Sequence, residues 1–183
     1  MQTKIVNGIR TDSDLYEVYS ELINANYPLY LNKYGITNSA IRAEDAVIVD
    51  SFGKEYTDCV SGFGLFSIGH NRAKIVMDII TQLKKNQLVA KPFISQIQVE
   101  ASEKLAEIAP AELNCSFLCN SGSEAVDSAI KLARLYTGKT EIITARKSFH
   151  GITYGALSAT GINSFNKFFS PLLPDIIKVD FGD

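Results

Sequence analysis

The chain has 183 residues, a hydrophobic content of 46% and a formal net charge of −2, with its lysines and arginines spread along the sequence. This composition predicts a globular protein and excludes disorder, and the lack of a basic patch argues against nucleic acid or an acidic membrane as a partner. With no apolar run of roughly 20 residues and no signal-peptide core after Met1, we expect a cytoplasmic protein whose partner is a small molecule.

Apolar side chains recur at helical spacing in three segments before residue 110. These segments are residues 11–26, 71–86 and 95–109. The helix over 71–86 is expected to point five apolar side chains inward: Ile75, Val76, Ile79, Ile80 and Leu83.

A β-hairpin is predicted between the first two helices. Its strands are 46–50 and 55–60, and Asp50 and Gly53 are turn residues between them. The glycine-rich stretch 61–66 that follows is not a dinucleotide loop, because Ser67 stands where the third glycine of G-x-G-x-x-G is needed. Two aromatic residues of this stretch, Phe63 and Phe66, are either core residues or pocket walls.

Strands alternate with helices in the second half, which predicts a mostly parallel sheet with flanking helices. The strand-type runs are 115–119, 141–144 and 176–181, and the helices lie over about 122–138 and 153–160. Because the sequence reaches Asp183 directly after the last run, we expect a sheet with later strands still to be added.

Disulfide and zinc chemistry are not predicted. The three cysteines, Cys59, Cys115 and Cys119, have no C-x-x-C spacing, and the two histidines, His70 and His150, lie far apart in the sequence. We therefore expect no metal site, and we expect Cys115 and Cys119 to be buried in their strand.

The turn at 120–125 predicts an anion site. It joins a strand to a helix, and the first amides of a helix lack intrahelical partners and carry partial positive charge. Gly122 allows close backbone approach, and the hydroxyls of Ser121 and Ser123 either bind a ligand or only cap the helix. One helix and one strand later, Phe149, His150 and Gly151 place an aromatic ring and an imidazole in a second loop.

Two known kinds of site do not fit this pattern. A serine hydrolase would use Ser121 or Ser123 with His150 and a carboxylate such as Asp180, but the first glycine of G-x-S-x-G is missing. A P-loop needs G-K-[ST] after the turn, which is also missing. A phosphorylated aromatic cofactor fits better, with its phosphate at 122–123 and its ring against Phe149, and pyridoxal 5'-phosphate is such a molecule.

Several motifs resemble the class III aminotransferases, which depend on pyridoxal phosphate. They are residues 119–125, 149–151 and 155–160. Residues 58–64, 68–70 and 171–174 are most similar to the putrescine, acetylornithine and ornithine aminotransferase branch, and the similarity extends from about Tyr30 to the last residue. One departure is Arg72-Ala73, where the family usually has a proline.

The resemblance implies the N-terminal part of a type I fold: an α/β structure with a small-domain part at 1–66 and the first half of the cofactor domain at 67–183. It also implies a homodimer. The implied reaction transfers an amino group from an ω-amine or amino acid, such as ornithine, acetylornithine, putrescine or 4-aminobutyrate, to a 2-oxo acid.

The resemblance also implies roles for individual residues. Ser121, Gly122 and Ser123 would bind the cofactor phosphate, Phe149 would stack on the pyridine ring, and Phe63 would contact the substrate. His150 would lie beside the ring, as a ligand contact or as a structural residue.

No catalytic residue is assigned in this segment. The family's Schiff-base lysine and pyridinium-binding aspartate lie beyond position 183, and Lys131 and Lys147 match no family motif. The segment alone is therefore expected to be inactive, and the alternative interpretation is a non-catalytic paralogue or fragment that acts as a binding or structural subunit.

Overall fold

The computed structural model describes residues 11–86, 92–110 and 112–182. The chain divides into two compact units, Met1–Phe93 and Ile94–Asp183. Residues 1–10 lie outside the described residues, and the expectation that no signal-peptide core follows Met1 concerns this part of the chain. The expected domain division at 66/67 stays a prediction.

The described residues of the first unit form three helices and a three-stranded antiparallel meander. The elements are α1 (Asp12–Leu22), α2 (Tyr27–Asn32), β1 (Ala40–Glu44), β2 (Val47–Asp50), β3 (Glu55–Thr57) and α3 (Ala73–Lys85). The hairpin prediction is confirmed, with Val49 opposite Glu55. Helix α1 begins at a capping box, in which the Thr11 hydroxyl accepts from the Asp14 N–H at 3.2 Å and the Asp14 carboxylate accepts from the Thr11 N–H at 3.2 Å.

Asp50 fixes the turn of the hairpin. Its buried carboxylate accepts the N–H groups of Phe52 and Lys54, both at 2.9 Å, and also accepts from the Asn38 amide at 3.0 Å and the Tyr56 hydroxyl at 3.1 Å. Four donors compensate for removing this charged group from water. The hydrogen bond from Asn38 and the others lower the pKa of Asp50.

Two elements of the first unit were not predicted. Strand β1 has the sequence Ala-Ile-Arg-Ala-Glu, which is poor in strand-forming residues, and it forms by pairing with β2. Helix α2 begins at Tyr27-Pro28, a pair that reads as the end of α1. Proline is tolerated in the first turn of a helix, so Pro28 can end the helical pattern of 11–26 and also lie in the first turn of α2.

The expected burial of α3 is wrong. The helix forms where predicted, but Ile75, Val76, Ile79, Ile80 and Leu83 are 37–54% exposed. Periodicity specifies which side chains share a helix face, whereas burial depends on neighbours that are distant in sequence. The pattern therefore predicted the helix correctly and its surroundings incorrectly.

In the second unit, the part that the structure describes forms four helices and a parallel strand pair. The elements are α4 (Gln96–Ile108), α5 (Gly122–Thr137), β4 (Ile142–Ala145), α6 (Tyr154–Ala159), α7 (Asn163–Asn166) and β5 (Ile176–Val179). Strands β4 and β5 pair in parallel from Ile142 opposite Ile176 to Ala145 opposite Val179, which confirms the predicted parallel arrangement. The small-residue helix α6 is the most buried element, with Ala156, Leu157, Ser158 and Ala159 all inside.

The predicted strand over 115–119 is not formed. A strand exists through hydrogen bonds to a neighbour, and none of the described strands pairs with this run. Phe117 is 79% exposed, Cys115 is exposed and Cys119 is half-buried, so the expected burial of the two cysteines is also wrong. The cause is the same, because without a paired neighbour the run has no sheet to be buried in.

Within the described ranges, none of the helices has the length and apolar character needed to cross a bilayer. The same residues contain no group of three or more His, Cys, Asp and Glu side chains placed to hold a metal ion.

Candidate functional site

The N-terminus of α5 is held in a capped turn. The Ser121 hydroxyl accepts from the Glu124 N–H at 3.2 Å, and the Glu124 carboxylate accepts from the Asn120 N–H at 2.8 Å. These two bonds fix the direction in which the helix starts. The remaining amides of the first turn point out of the helix end, where its dipole places partial positive charge.

Gly122 leaves the space at this helix end open. A Cβ built on Gly122 meets no atom of the protein within 4 Å, and the residue has ordinary helical geometry. Among the described residues there is therefore no packing or backbone reason for glycine here. A glycine that these neighbours do not require is consistent with a ligand approaching the backbone closely.

Ser123 links this turn to the loop that follows β4. Its half-buried hydroxyl accepts from the Ile152 N–H at 3.1 Å, and its carbonyl accepts from the Thr153 hydroxyl at 3.4 Å. Gly151 makes the close approach possible, since its φ is 139° and a Cβ there would lie 2.9 Å from the Ser123 Cα. The oriented Ser123 hydroxyl keeps its own hydrogen available for a ligand.

Residues 148–151, which we call the lid loop, present the Phe149 ring to solvent. The ring is 54% exposed and packs edge-on against Phe165, with ring centroids 5.2 Å apart and an angle of 61° between the planes. The backbone on both sides of Phe149 is hydrogen-bonded, through the Ser148 carbonyl and the His150 N–H. An exposed ring on a fixed backbone is suited to packing against a flat ligand.

The His150 ring lines a small apolar cleft between α5 and β4, with a volume of about 250 Å³. The other lining residues are Val126, Ala129, Ile130, Ala133, Ile142, Thr144 and Ala159. These surroundings suit the structural role considered for His150, so its role as a cofactor ligand stays a prediction.

The geometry does not support a serine hydrolase. The Ser121 and Ser123 hydroxyls accept from backbone amides, and among the described residues neither is hydrogen-bonded to His150. Asp180, the candidate carboxylate, pairs with Arg146 at 3.3 Å. The elements of a triad are present in the sequence but do not form one here.

Phe63 lies in the first unit, in a loop fixed by Asp58. The Asp58 carboxylate accepts from the N–H groups of Val60 and Ser61 at 2.9 and 2.8 Å and bonds His70 Nε2 at 2.8 Å. The hydrogen bond with His70, followed by the backbone bonds, lowers the pKa of Asp58.

Neither aromatic residue of this loop is in the core. Phe66 packs on the His70 ring at 4.2 Å between centroids, while Phe63 has a φ of 58° and is 99% exposed. Its role as a substrate contact stays a prediction.

Sequence reasoning missed two residues whose side chains accept backbone N–H groups near the site. Asp127 on α5 accepts from the Ala156 N–H at 2.8 Å, and Thr160 accepts from the His150 N–H at 3.0 Å. The available signal was the run Gly155–Thr160, whose small residues permit close packing of α6.

Residues 32–183 match the class III aminotransferase family. The chain therefore belongs to the class III aminotransferases, which confirms the family that the motifs predicted. The family depends on pyridoxal phosphate, so the predicted cofactor is confirmed for the family as a whole.

Solved structures have the same α/β fold, which confirms the predicted fold class. An (S)-enantioselective ω-transaminase from Thermomicrobium roseum matches with a TM-score of 0.82 and 27% identity, over 94% of this chain and 41% of its own. An amine transaminase from an uncultivated Pseudomonas species, in its PLP-bound form, matches with a TM-score of 0.70 and 25% identity, over 78% of this chain and 34% of its own.

A third match supports the fold alone. The ornithine aminotransferase of Toxoplasma gondii has a TM-score of 0.80 and 22% identity, over 96% of this chain and 41% of its own. This chain thus spans between 34% and 41% of the length of the three proteins.

Proposed function

We propose that the chain is the N-terminal part of a pyridoxal-phosphate-dependent aminotransferase and carries the phosphate and ring-packing half of its cofactor site. One observation carries the proposal: the open helix end at Gly122 is joined through Ser123 to the loop that presents Phe149. Pyridoxal phosphate has a phosphate at one end and a flat ring at the other. The open helix end suits the phosphate, and the exposed Phe149 ring suits the flat ring.

The phosphate is proposed to bind at the first turn of α5. The free amides there donate to its oxygens, the Ser121 and Ser123 hydroxyls add hydrogen bonds, and the helix dipole favours the negative charge. Gly122 lets the phosphate come close to the backbone. All these contacts use neutral groups oriented by the fold.

Phe149 is proposed to pack on the pyridine ring and exclude water from that face, with His150 beside it. When bound, the cofactor supplies the electron-accepting ring on which amino-group transfer depends. The role of Phe149 and His150 is to orient that ring relative to the phosphate.

The groups that react with substrate are proposed to lie outside this segment. We assign no catalytic residue here and place the cofactor-binding lysine and the aspartate at the pyridine nitrogen beyond position 183. The alternative is a truncated, non-catalytic paralogue or fragment of the same fold that acts as a binding or structural subunit. The coding sequence past Asp183 distinguishes the two: an open frame with a lysine-bearing loop supports the enzyme, and a stop codon there supports the alternative.

The amino donor is proposed to be an ω-amine or amino acid such as ornithine, acetylornithine, putrescine or 4-aminobutyrate, and the acceptor a 2-oxo acid such as 2-oxoglutarate. The motifs at 58–64 and 68–70 support this range. A screen of these donors with the intact enzyme tests it, and Phe63→Ala should change KM by different factors for different donors. Equal effects on all donors would contradict substrate contact by Phe63.

We further propose a cytoplasmic homodimer. The family resemblance supports the dimer, and the exposed apolar face of α3 is a surface that a partner subunit or the rest of the intact chain can cover. Light scattering coupled to gel filtration measures the mass of the intact enzyme, and a monomer at micromolar concentration would contradict the proposal.

The segment by itself tests the placement of the lysine. Incubated with pyridoxal phosphate and then borohydride, it should show no stoichiometric label on a single lysine. A specific label on Lys131 or Lys147 would show that the cofactor-binding lysine lies within this chain.

A further inference from the structure

Both ends of the lid loop are hydrogen-bonded to the two residues that follow α6. The Ser148 carbonyl accepts from the Gly161 N–H at 2.8 Å, and the His150 N–H donates to the Thr160 hydroxyl at 3.0 Å. Phe149 lies between these two bonds. The backbone that carries the exposed ring is therefore fixed on both sides by 160–161.

Thr160 is well suited to act as an anchor. It is fully buried, and its hydroxyl hydrogen is directed to the Ala156 carbonyl at 3.0 Å or the Gly151 carbonyl at 3.4 Å. Its own carbonyl accepts from the buried Asn166 amide at 2.8 Å. The side chain and the backbone of Thr160 are both bonded, so its hydroxyl has one fixed position.

Gly161, the next residue, has no space for a side chain. A Cβ there would lie 2.8 Å from the Lys147 N and 2.9 Å from the Arg146 Cα, so the backbone after α6 is in close contact with the backbone before the lid loop. This close contact keeps the Gly161 bond to Ser148 in place and leaves the Thr160 hydroxyl as the side-chain anchor on the other side of Phe149.

We propose that Thr160 is a positioning residue for the cofactor ring: its hydroxyl holds the His150 backbone and thereby sets the position of the Phe149 ring. Since the Ile152 N–H that follows the loop is bonded to Ser123 at 3.1 Å, the same anchor fixes the ring relative to the phosphate end. This inference rests on the proposed function, because the ring that Thr160 positions is the one that packs on the cofactor.

Three variants test the proposal. Thr160→Val keeps the shape of the side chain and removes the hydroxyl, and Thr160→Ser keeps the hydroxyl. Thr137→Val is the matched control, because Thr137 also donates to the carbonyl four residues back, at 2.7 Å, and accepts a backbone N–H, from Lys139 at 3.2 Å, but lies exposed at the other end of α5.

Two measurements are made on each variant. Amide hydrogen exchange at His150, without cofactor, should be about tenfold faster in Thr160→Val and near wild type in Thr160→Ser and Thr137→Val, since only the first leaves that N–H without an acceptor. The Kd for pyridoxal phosphate, by titration of the intact enzyme, should rise about tenfold in Thr160→Val alone.

The results separate this inference from the proposed function. Unchanged exchange at His150 in Thr160→Val, or an equal loss of affinity in Thr160→Ser, would overturn the role of the Thr160 hydroxyl. A wild-type enzyme that does not bind pyridoxal phosphate would refute the proposed function, and the exchange data would still decide whether Thr160 holds the lid loop.

Discussion

The two glycines at the ends of α5 give the sharpest test of the proposed phosphate site. Gly122 starts the helix and Gly138 follows it, and a Cβ on either would meet no protein atom within 4 Å. They differ in backbone: Gly138 has a φ of 69°, whereas Gly122 is helical. Substitution at Gly122 should therefore affect a ligand, and substitution at Gly138 should affect the fold.

For Gly122→Val the expected change in folding is small. Valine and glycine are both poor helix formers, and their propensities differ by less than about 0.5 kcal/mol. A branched side chain in the open space would instead keep the phosphate away from the first-turn amides. Losing one hydrogen bond to a charged group costs about 1.5–3 kcal/mol, which corresponds to roughly a 10- to 150-fold increase in Kd.

The control is Gly138→Ala. An alanine in the left-handed conformation costs about 1–2 kcal/mol, so the free energy of unfolding should fall while the Kd stays the same. Chemical denaturation of the cofactor-free enzyme measures the first quantity, and titration with pyridoxal phosphate measures the second. Unchanged affinity in Gly122→Val, or the same loss of affinity in both variants, would refute the assignment of the phosphate to this helix end.

Three further predictions concern individual side chains. Ser121→Ala removes the cap of α5 and should lower the free energy of unfolding by about 1 kcal/mol in urea denaturation. Phe149→Leu keeps apolar bulk without a flat ring and should raise the Kd for pyridoxal phosphate, with only a small fall in melting temperature from the lost edge-on contact with Phe165; an unchanged Kd would contradict stacking. Because hydrogen bonding lowers the pKa of Asp50, its stabilising effect should be present above pH ~4 and lost as the pH falls through its lower folded pKa; Asp50→Asn should therefore show a weaker loss of stability in acid denaturation.

The parts of the fold that could be predicted from the sequence are those with local determinants. The start of α1 after Thr11, the turn at Asp50 and Gly53, and the end of α5 before Gly138 depend on residues a few positions apart, and each lies where the pattern placed it. The capped helix end with open space at Gly122 belongs to the same group, because it is a property of one turn of chain. The binding of an anion there stays a prediction.

The failed predictions all concern neighbours that are distant in sequence. The run 115–119 is rich in strand-forming residues, but a strand requires a paired partner and the described strands provide none. The apolar face of α3 is periodic and still exposed, and β1 forms despite an unfavourable composition because β2 pairs with it. Local sequence determines the tendency of a segment, and pairing determines whether that tendency is realised.

The same distinction explains why Thr160 and Asp127 were missed. Neither residue belongs to a motif with an obvious chemical role, and each acts on a backbone N–H that lies 10 or 29 residues away. Phe149 and Ser123 were identified because their own side chains suit a ligand. Their positions relative to each other, however, depend on the buried Thr160 hydroxyl and the half-buried Asp127 carboxylate, so the precision of the proposed cofactor site depends on residues whose role the motifs do not reveal.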